Sequence, residues 1–508
     1  MNVLTKPLRR VLDRQSGADD GSEATEDTGG RHFRRVPTSG PAGPSPARAG
    51  SRRALLTLTD QGFSSVSNFA VAVAVARGAG ASGLGGFSVA YSGWLVLAAM
   101  HRSLITDPMA IEGDVRSTEV GNAIRRGFAA EVLLGLAGAA AFVLVGGTLA
   151  LANQGTFGFA LLVLAPWLPF LLVQDYWRWI GFMTRRPGMA LANDTVFNVF
   201  QATAFAAVFV FGVHNEAALI GSWGLGAAVG VLYGLHQFRV RPSFRGGWSL
   251  LRARWTISKW IAGSSLTNWG ASQMYVFIAA ILLGPAGLGG LKAAQTLVSG
   301  PSGVLIQAGG SIGLPEASRS YADQGWKGLV RVARIIAVAG ILSFIGAAVV
   351  VALWGKTLLS HVYGPAFGHM ALVALLFAIA YIFQGFALGP ILVIKATRQT
   401  HWLFVVQAIS LAVSVVSMIS LCLVLGTTGA ALAMVITYAV YAVAYRSCQH
   451  RVRKVISPSD LASSATVTLD DLDELDELDG EVTSGDGGPA ALSGDVRRVL
   501  HVPQEAGL

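Results

Sequence analysis

Two cysteines, Cys422 and Cys448, in 508 residues leave no disulfide framework and no thiolate metal site on which to build a fold. Charge is scarce as well. Asp, Glu, Lys and Arg make up 13% of the chain against 53% hydrophobic residues, and the mean hydropathy is +0.54. An ordinary soluble domain carries roughly twice that charge, so a normal water-facing surface is excluded. Enzyme signatures are missing too: there is no metal-ligand spacing, no nucleophile elbow and no carboxylate pair in a soluble loop. Gly355-Lys356-Thr357 resembles the end of a phosphate loop, but Val350 stands where that loop requires glycine. Residues 1–50 are polar with no apolar core, so no signal peptide is expected. Arg52-Arg53 then reads as the flank of the first span rather than as a twin-arginine signal.

What the chain does contain is twelve apolar runs, each about 20–28 residues and long enough to cross a bilayer. They lie near 54–77, 84–105, 123–150, 156–183, 188–213 and 216–237, then near 255–283, 288–314, 329–354, 366–394, 399–425 and 427–447. The junctions at 283–288 and 425–427 have almost no loop. Residues 54–456 carry 26 Lys/Arg against 11 Asp/Glu, and the basic residues alternate by loop. One side holds Arg125 and Arg126, Arg185 and Arg186, Arg239 and its neighbours; the other holds only Arg77, Lys292 and Lys356. This is the positive-inside pattern, which places both termini in the cytoplasm of a multi-pass plasma (inner) membrane protein. It accounts for the net charge of +9 without a nucleic-acid partner.

The apolar frame repeats. Gly80, Gly83, Leu84, Gly85, Gly86 and Ala90 recur 204 residues later as Gly284, Gly287, Leu288, Gly289, Gly290 and Ala294. At the same offset Asp60, Ser64 and Asn68 fall on Ser264, Asn268 and Ser272, spaced i, i+4, i+8 along one helix face. A polar stripe in lipid must face protein or water. The reading is an all-α integral membrane protein with about 12 transmembrane helices, in two pseudo-symmetric six-helix lobes around a central cavity. The segments are a disordered tail at 1–53, a first lobe at 54–237, a basic linker at 238–254, a second lobe at 255–456 and an acidic tail at 457–508. Leucines recur every third residue in the acidic run 469–481, which marks it as a solvated tail or a docking segment.

Ionisable groups inside apolar spans are the default functional candidates. In the first lobe these are Asp60, Asp175, Arg178 and Asp194, with Arg102 at a helix end. Arg178 can pair with Asp175 at i+3 or with Asp194 across the helical hairpin, which would make a structural fastening. Lys292 and Arg77 are the strong cations near the far ends of their helices. Trp269, beside Asn268, is either part of an interfacial belt or a platform for a sugar ring. Prolines at 166, 169, 301, 315 and 390 mark breaks that permit bending.

Two stretches, DQGFSSVSNFAVAVAVARGAGASGLGGFSVA at 60–90 and QDYWRWIGFMTRRPGMALAND at 174–194, carry a family resemblance. The chain resembles the multidrug/oligosaccharidyl-lipid/polysaccharide exporter superfamily, in its polysaccharide-flippase (O-antigen-type) branch. The resemblance covers about 54–450 and implies a cationic cavity for a polyprenyl-pyrophosphate-linked saccharide, with membrane lipids as surroundings and no cofactor. On that reading Arg77, Arg102 and Arg178 attract the diphosphate, Lys292 assists its release, and Ser64, Asn68, Asn268 and Ser272 bind sugar hydroxyls. Asp60 departs from a purely cationic cavity and, with Asp175 and Asp194, is a candidate for ion coupling. The first alternative is a proton- or sodium-coupled multidrug or cation antiporter of the same superfamily. The second is a membrane scaffold whose tails recruit polysaccharide-assembly proteins.

Overall fold

The structure is a computed structural model. It describes residues 46–111, 120–184, 186–213, 215–240, 246–308, 313–399 and 401–455, without the side chains of 46–68, 300–312 and 455. The chain divides into two compact units, Met1–Ala49 and Gly50–Leu508, and the architecture below is that of the second. The acidic run 469–481 and most of the 1–53 tail lie outside the described residues.

Eight continuous stretches are helices long and apolar enough to cross a membrane. Four of them are broken by a glycine at positive φ, at Gly80, Gly284, Gly325 and Gly426, the break at Gly325 setting off only a short piece. With Pro187–Val210 this gives twelve helices among the described residues. The first lobe holds α1 (46–79), α2 (81–111), α3 (Val120–Leu151), α4 (Gly155–Met183), α5 (Pro187–Val210) and α6 (Glu216–Gln237). The second holds α7 (247–283), α8 (285–308), α9 (326–362), α10 (Ala371–Ala396), α11 (401–425) and α12 (427–455). A short piece, 314–324, precedes α9 and is set off from it by a break at Gly325. Helix α7 begins inside the segment expected as a linker, where Leu250 already packs with Ile105, Met109 and Phe128; residues 241–245 of that segment lie outside the described residues.

Helices alternate in direction, so the bundle has a proximal face, where α1 begins and α12 ends, and a distal face, where the breaks at Gly80, Gly284 and Gly426 lie. Gly80 has φ 70° and ψ −167°; Gly284 has φ 68° and ψ −177°. Side chains are excluded from that region of backbone space, so both turns demand glycine. The 204-residue repeat is thus a repeat of one backbone conformation. Prolines act more locally. Pro166 converts 165–167 to a 3-10 turn within α4, and Pro390 sits inside α10.

One hydrophobic core runs through both lobes. Val75, Ala76, Leu84 and Ala90 from α1 and α2 pack in it together with Leu288, Ala294, Tyr363 and Phe377 of the second lobe. The outward faces stay apolar: Leu144, Leu232, Ile335, Leu342, Val416 and Val443 are all exposed. Such a surface is unstable in water and suited to hydrocarbon. Where the lobes meet at the distal face, the approach is closest at glycine. A Cβ on Gly85 would stand 2.0 Å from the Pro285 carbonyl oxygen, and one on Gly289 would stand 1.8 Å from that of Ala81. The two contacts are images of each other under the 204-residue offset.

Candidate functional site

Below that seam, α2 and α7 are joined by a line of polar contacts. The Trp269 indole N–H donates to the Ser92 carbonyl at 3.2 Å, and the Ser92 hydroxyl donates to Gln273 at 3.3 Å. Deeper, the Ser103 and Ser265 hydroxyls meet at 2.7 Å, and the Ser258 hydroxyl donates to the Leu104 carbonyl at 3.4 Å. Helix α2 is wound as a π-helix there, over Arg102–Thr106. Pro108 lacks the N–H that would meet the Leu104 carbonyl in an α-helix, which leaves that oxygen to α7.

Beside this turn lies the densest cluster of buried charge in the first lobe. The His101 ring is fully buried between two carboxylates: Nδ1 is 2.9 Å from Glu131 Oε1 and Nε2 is 2.7 Å from Asp175 Oδ2. Arg102 Nε lies 3.8 Å from the same Asp175 oxygen, and its guanidinium stands over the Trp179 ring at 5.5 Å. Helices α2, α3 and α4 are tied together through these groups. A second tie joins α4 to α5, where Arg178 Nε is 3.1 Å from Asp194 Oδ2 and the Gln174 amide donates to Asp194 Oδ1 at 2.8 Å. Asn193 then donates to the Gly230 carbonyl of α6 at 2.8 Å. Of the two partners open to Arg178 in the sequence, the fold selects Asp194, because His101 and Arg102 already occupy Asp175.

The second lobe has a different interior. Lys292 Nζ donates to Gln295 Oε1 at 2.8 Å and to the Tyr275 hydroxyl at 3.1 Å. Tyr275 also donates to Gln295, whose amide reaches the Tyr381 hydroxyl at 3.5 Å. Tyr381 stacks near Tyr438, with ring centroids 5.9 Å apart. Among the described residues no carboxylate pairs with Lys292. Its charge is met by neutral oxygens and by the Tyr275 ring, 5.7 Å from Nζ, about 12 Å below the distal turn at Gly284.

The remaining sequence candidates divide. Arg77 donates through Nε to the Val362 carbonyl at 2.7 Å and through a terminal nitrogen to that of His361, so it caps the end of α9. Asn268 and Ser272 are exposed, with Ser272 bonded to the Trp269 carbonyl at 3.0 Å. Trp269 is engaged by the lobe seam and lies against Phe277 rather than standing free as a platform. The side chains of Asp60, Ser64 and Asn68 lie outside the described residues. His101 and Glu131 were missed by sequence reasoning. The signal for Glu131 was present: it is a lone carboxylate within the apolar span 123–150. His101 has none, since a histidine at a helix end next to an arginine is unremarkable. Among the described residues no group of three His, Cys, Asp or Glu is arranged to hold a metal ion.

Among the described residues, one cavity of about 930 Å³ is lined by Arg125, Arg186 and Arg239, and another of about 260 Å³ by Arg334, Arg446 and Arg453 of the second lobe.

Comparison with known proteins bears on both lobes. Residues 189–366 match a family model described as polysaccharide biosynthesis protein. No curated protein matches the chain. Among solved structures, an inward-facing multidrug resistance MATE family transporter of the MOP superfamily superposes with a TM-score of 0.63 at 12% identity, covering 77% of this chain and 96% of that one. The lipid II flippase MurJ, in an inward closed conformation, gives 0.60 at 13% identity, covering 85% and 94%. A MOP superfamily transporter from Pyrococcus furiosus, described as having a binding pocket of reverse polarity, gives 0.57 at 12% identity, covering 81% and 96%. At these identities the likeness is one of fold: twelve helices in two lobes, in a multi-pass membrane protein.

Proposed function

We propose that this chain, built on the fold of the MOP exporter superfamily, flips a polyprenyl-pyrophosphate-linked oligosaccharide across the bacterial plasma membrane by alternating access, for export of cell-surface polysaccharide. The observation that carries this reading is Lys292, an ammonium inside the second lobe that meets no carboxylate among the described residues. An uncompensated cation in a membrane interior is costly and finds its complement in an anionic ligand. The family match over 189–366 and the fold shared with MurJ point the same way. In this scheme both tails are cytoplasmic, so the proximal face is where substrate enters.

The cations then have separate tasks. Arg102, half-exposed and only loosely paired at 3.8 Å, meets the diphosphate on the proximal side. Lys292 receives it in the distal half, and the exposed Asn268 and Ser272 offer hydrogen bonds to sugar hydroxyls. Arg77 and Arg178 hold the frame, since helix-end carbonyls and Asp194 already engage them. Membrane lipids surround the apolar faces. The paired carboxylates of the first lobe favour one second reading, a cation-coupled antiporter of the same fold.

The test is a deletion strain in which lipid-linked saccharide is followed on each membrane face together with surface polysaccharide. Accumulation on the cytoplasmic face, restored by wild type but not by Lys292→Met or Arg102→Gln, is the expected result. Normal lipid distribution and normal polymer in the deletion strain would overturn the flippase and bring the antiporter forward.

A further inference from the structure

We propose that His101, Glu131 and Asp175 form a proton-binding site that controls how α2 packs on α7, which makes the proton the ion coupled to lobe movement. The inference deepens the transport reading and rests on it for what the movement achieves, but not for the site itself.

Hydrogen-bond valence comes first. An ionised carboxylate only accepts, and each ring nitrogen of His101 faces a carboxylate oxygen, at 2.9 Å and 2.7 Å. Both contacts therefore need a proton. An imidazolium between two carboxylates supplies them, as does a neutral ring beside one carboxylic acid. Either way the three groups together carry one negative charge, and Arg102 lies next to it.

There is also a place for one proton more. Glu131 Oε2 is buried and has no hydrogen-bond partner among the described residues. A bare carboxylate oxygen held out of water is expensive. Protonation of that oxygen neutralises the carboxyl.

The charged groups around the triad come from every helix packed on it. Arg102 and Asp107 lie on α2 itself, and Arg178 on α4 is paired with Asp194 of α5. Tyr176 of α4, whose hydroxyl donates to the Ile124 carbonyl, stands in the field of both Glu131 and Arg254 of α7. Counting His101 as imidazolium, four cations stand with four carboxylates. One added proton breaks that balance in a medium that screens charge poorly.

The consequence is mechanical because His101 immediately precedes the π-turn Arg102–Thr106. Ser103 and Leu104, inside the turn, make the two deep contacts with Ser265 and Ser258 across the lobes. A π-turn is one residue out of α register, and moving it along the helix rotates whatever it carries. Protonation that loosens His101 from Glu131 or Asp175 frees the turn to shift, and Ser103 and Leu104 then leave α7.

The experiment uses the full-length protein in lipid nanodiscs without any saccharide. Cys422 and Cys448 are replaced by alanine, and spin labels are placed at Leu232→Cys on α6 and Ile335→Cys on α9, both exposed. Pulsed-EPR distances are collected at pH 5 and pH 9. The expected result is two distances whose population ratio changes about tenfold between the two pH values. Glu131→Gln and His101→Gln abolish the change and leave one population at both pH values. Arg178→Gln with Asp194→Asn, which removes the neighbouring ion pair, keeps it. An unchanged wild-type ratio overturns the proposal whatever the variants do, as does a Glu131→Gln protein that still responds. Because no saccharide is present, a pH response together with normal glycan export in a deletion strain would reject the flippase reading alone.

Discussion

Among the described residues, the first lobe pairs its most deeply buried charges: His101 with Glu131 and Asp175, Arg178 with Asp194. In the second, Lys292 lies among a glutamine and tyrosines. Under the 204-residue offset Lys292 stands where the first lobe has Ser88, a buried serine bonded to the Leu84 carbonyl at 2.6 Å. The backbones repeat where the lobes touch, down to the φ/ψ of Gly80 and Gly284 and the reciprocal contacts of Gly85 and Gly289. The interiors do not repeat. Symmetry is kept where the two lobes fit against each other, and it is released in their interiors.

The comparison can be broken most severely at His101. His101→Ala strands two buried carboxylates and should cost about 3–5 kcal/mol of stability, as removal of one partner from a buried ionic cluster does. The readout is thermal unfolding in detergent; a loss below about 1 kcal/mol would mean that water reaches the cluster. Next come the glycines of the seam. Gly85→Ala and Gly289→Ala each place a methyl against a backbone carbonyl and should each destabilise by about 1–3 kcal/mol, as overpacked sites do. Equal losses are expected from the two, and a difference above about 1 kcal/mol would show that the seam is not symmetric.

Arg77→Ala removes an exposed cap from the end of α9 and should cost no more than about 1 kcal/mol. If it also abolished glycan export while the protein remained folded, Arg77 would belong with the substrate ligands and not with the frame. The smallest effect on stability, and the sharpest contrast with His101, is expected at Lys292. Lys292→Met removes an uncompensated charge and keeps the volume, so the protein should be at least as stable as wild type, while export is lost. A destabilisation above about 2 kcal/mol would reveal a carboxylate partner for Lys292 beyond the described residues.

The frame was legible in the sequence for physical reasons. Hydrocarbon demands unbroken apolar runs with satisfied backbones, so twelve helices are written locally. The turns at Gly80 and Gly284 demand glycine, so comparing the chain with itself found the repeat. The charge cluster was not legible in the same way. Asp175, Arg178 and Asp194 could be singled out as ionisable groups in apolar spans, but their pairing could not. His101, Glu131 and Asp175 are separated by 30 and 44 residues, with no spacing that would link them. Arg77 reads as a free cation until the end of α9 is placed beside it.

The sequence alone therefore determined which segments enter the membrane, where they turn and how the two halves correspond, because these follow from transfer energies and backbone sterics within a few residues. Tertiary structure decided which charges are spent on one another and that Lys292 meets no carboxylate among the described residues, because an ion pair depends on separations of 3–4 Å that only the packing of the helices sets.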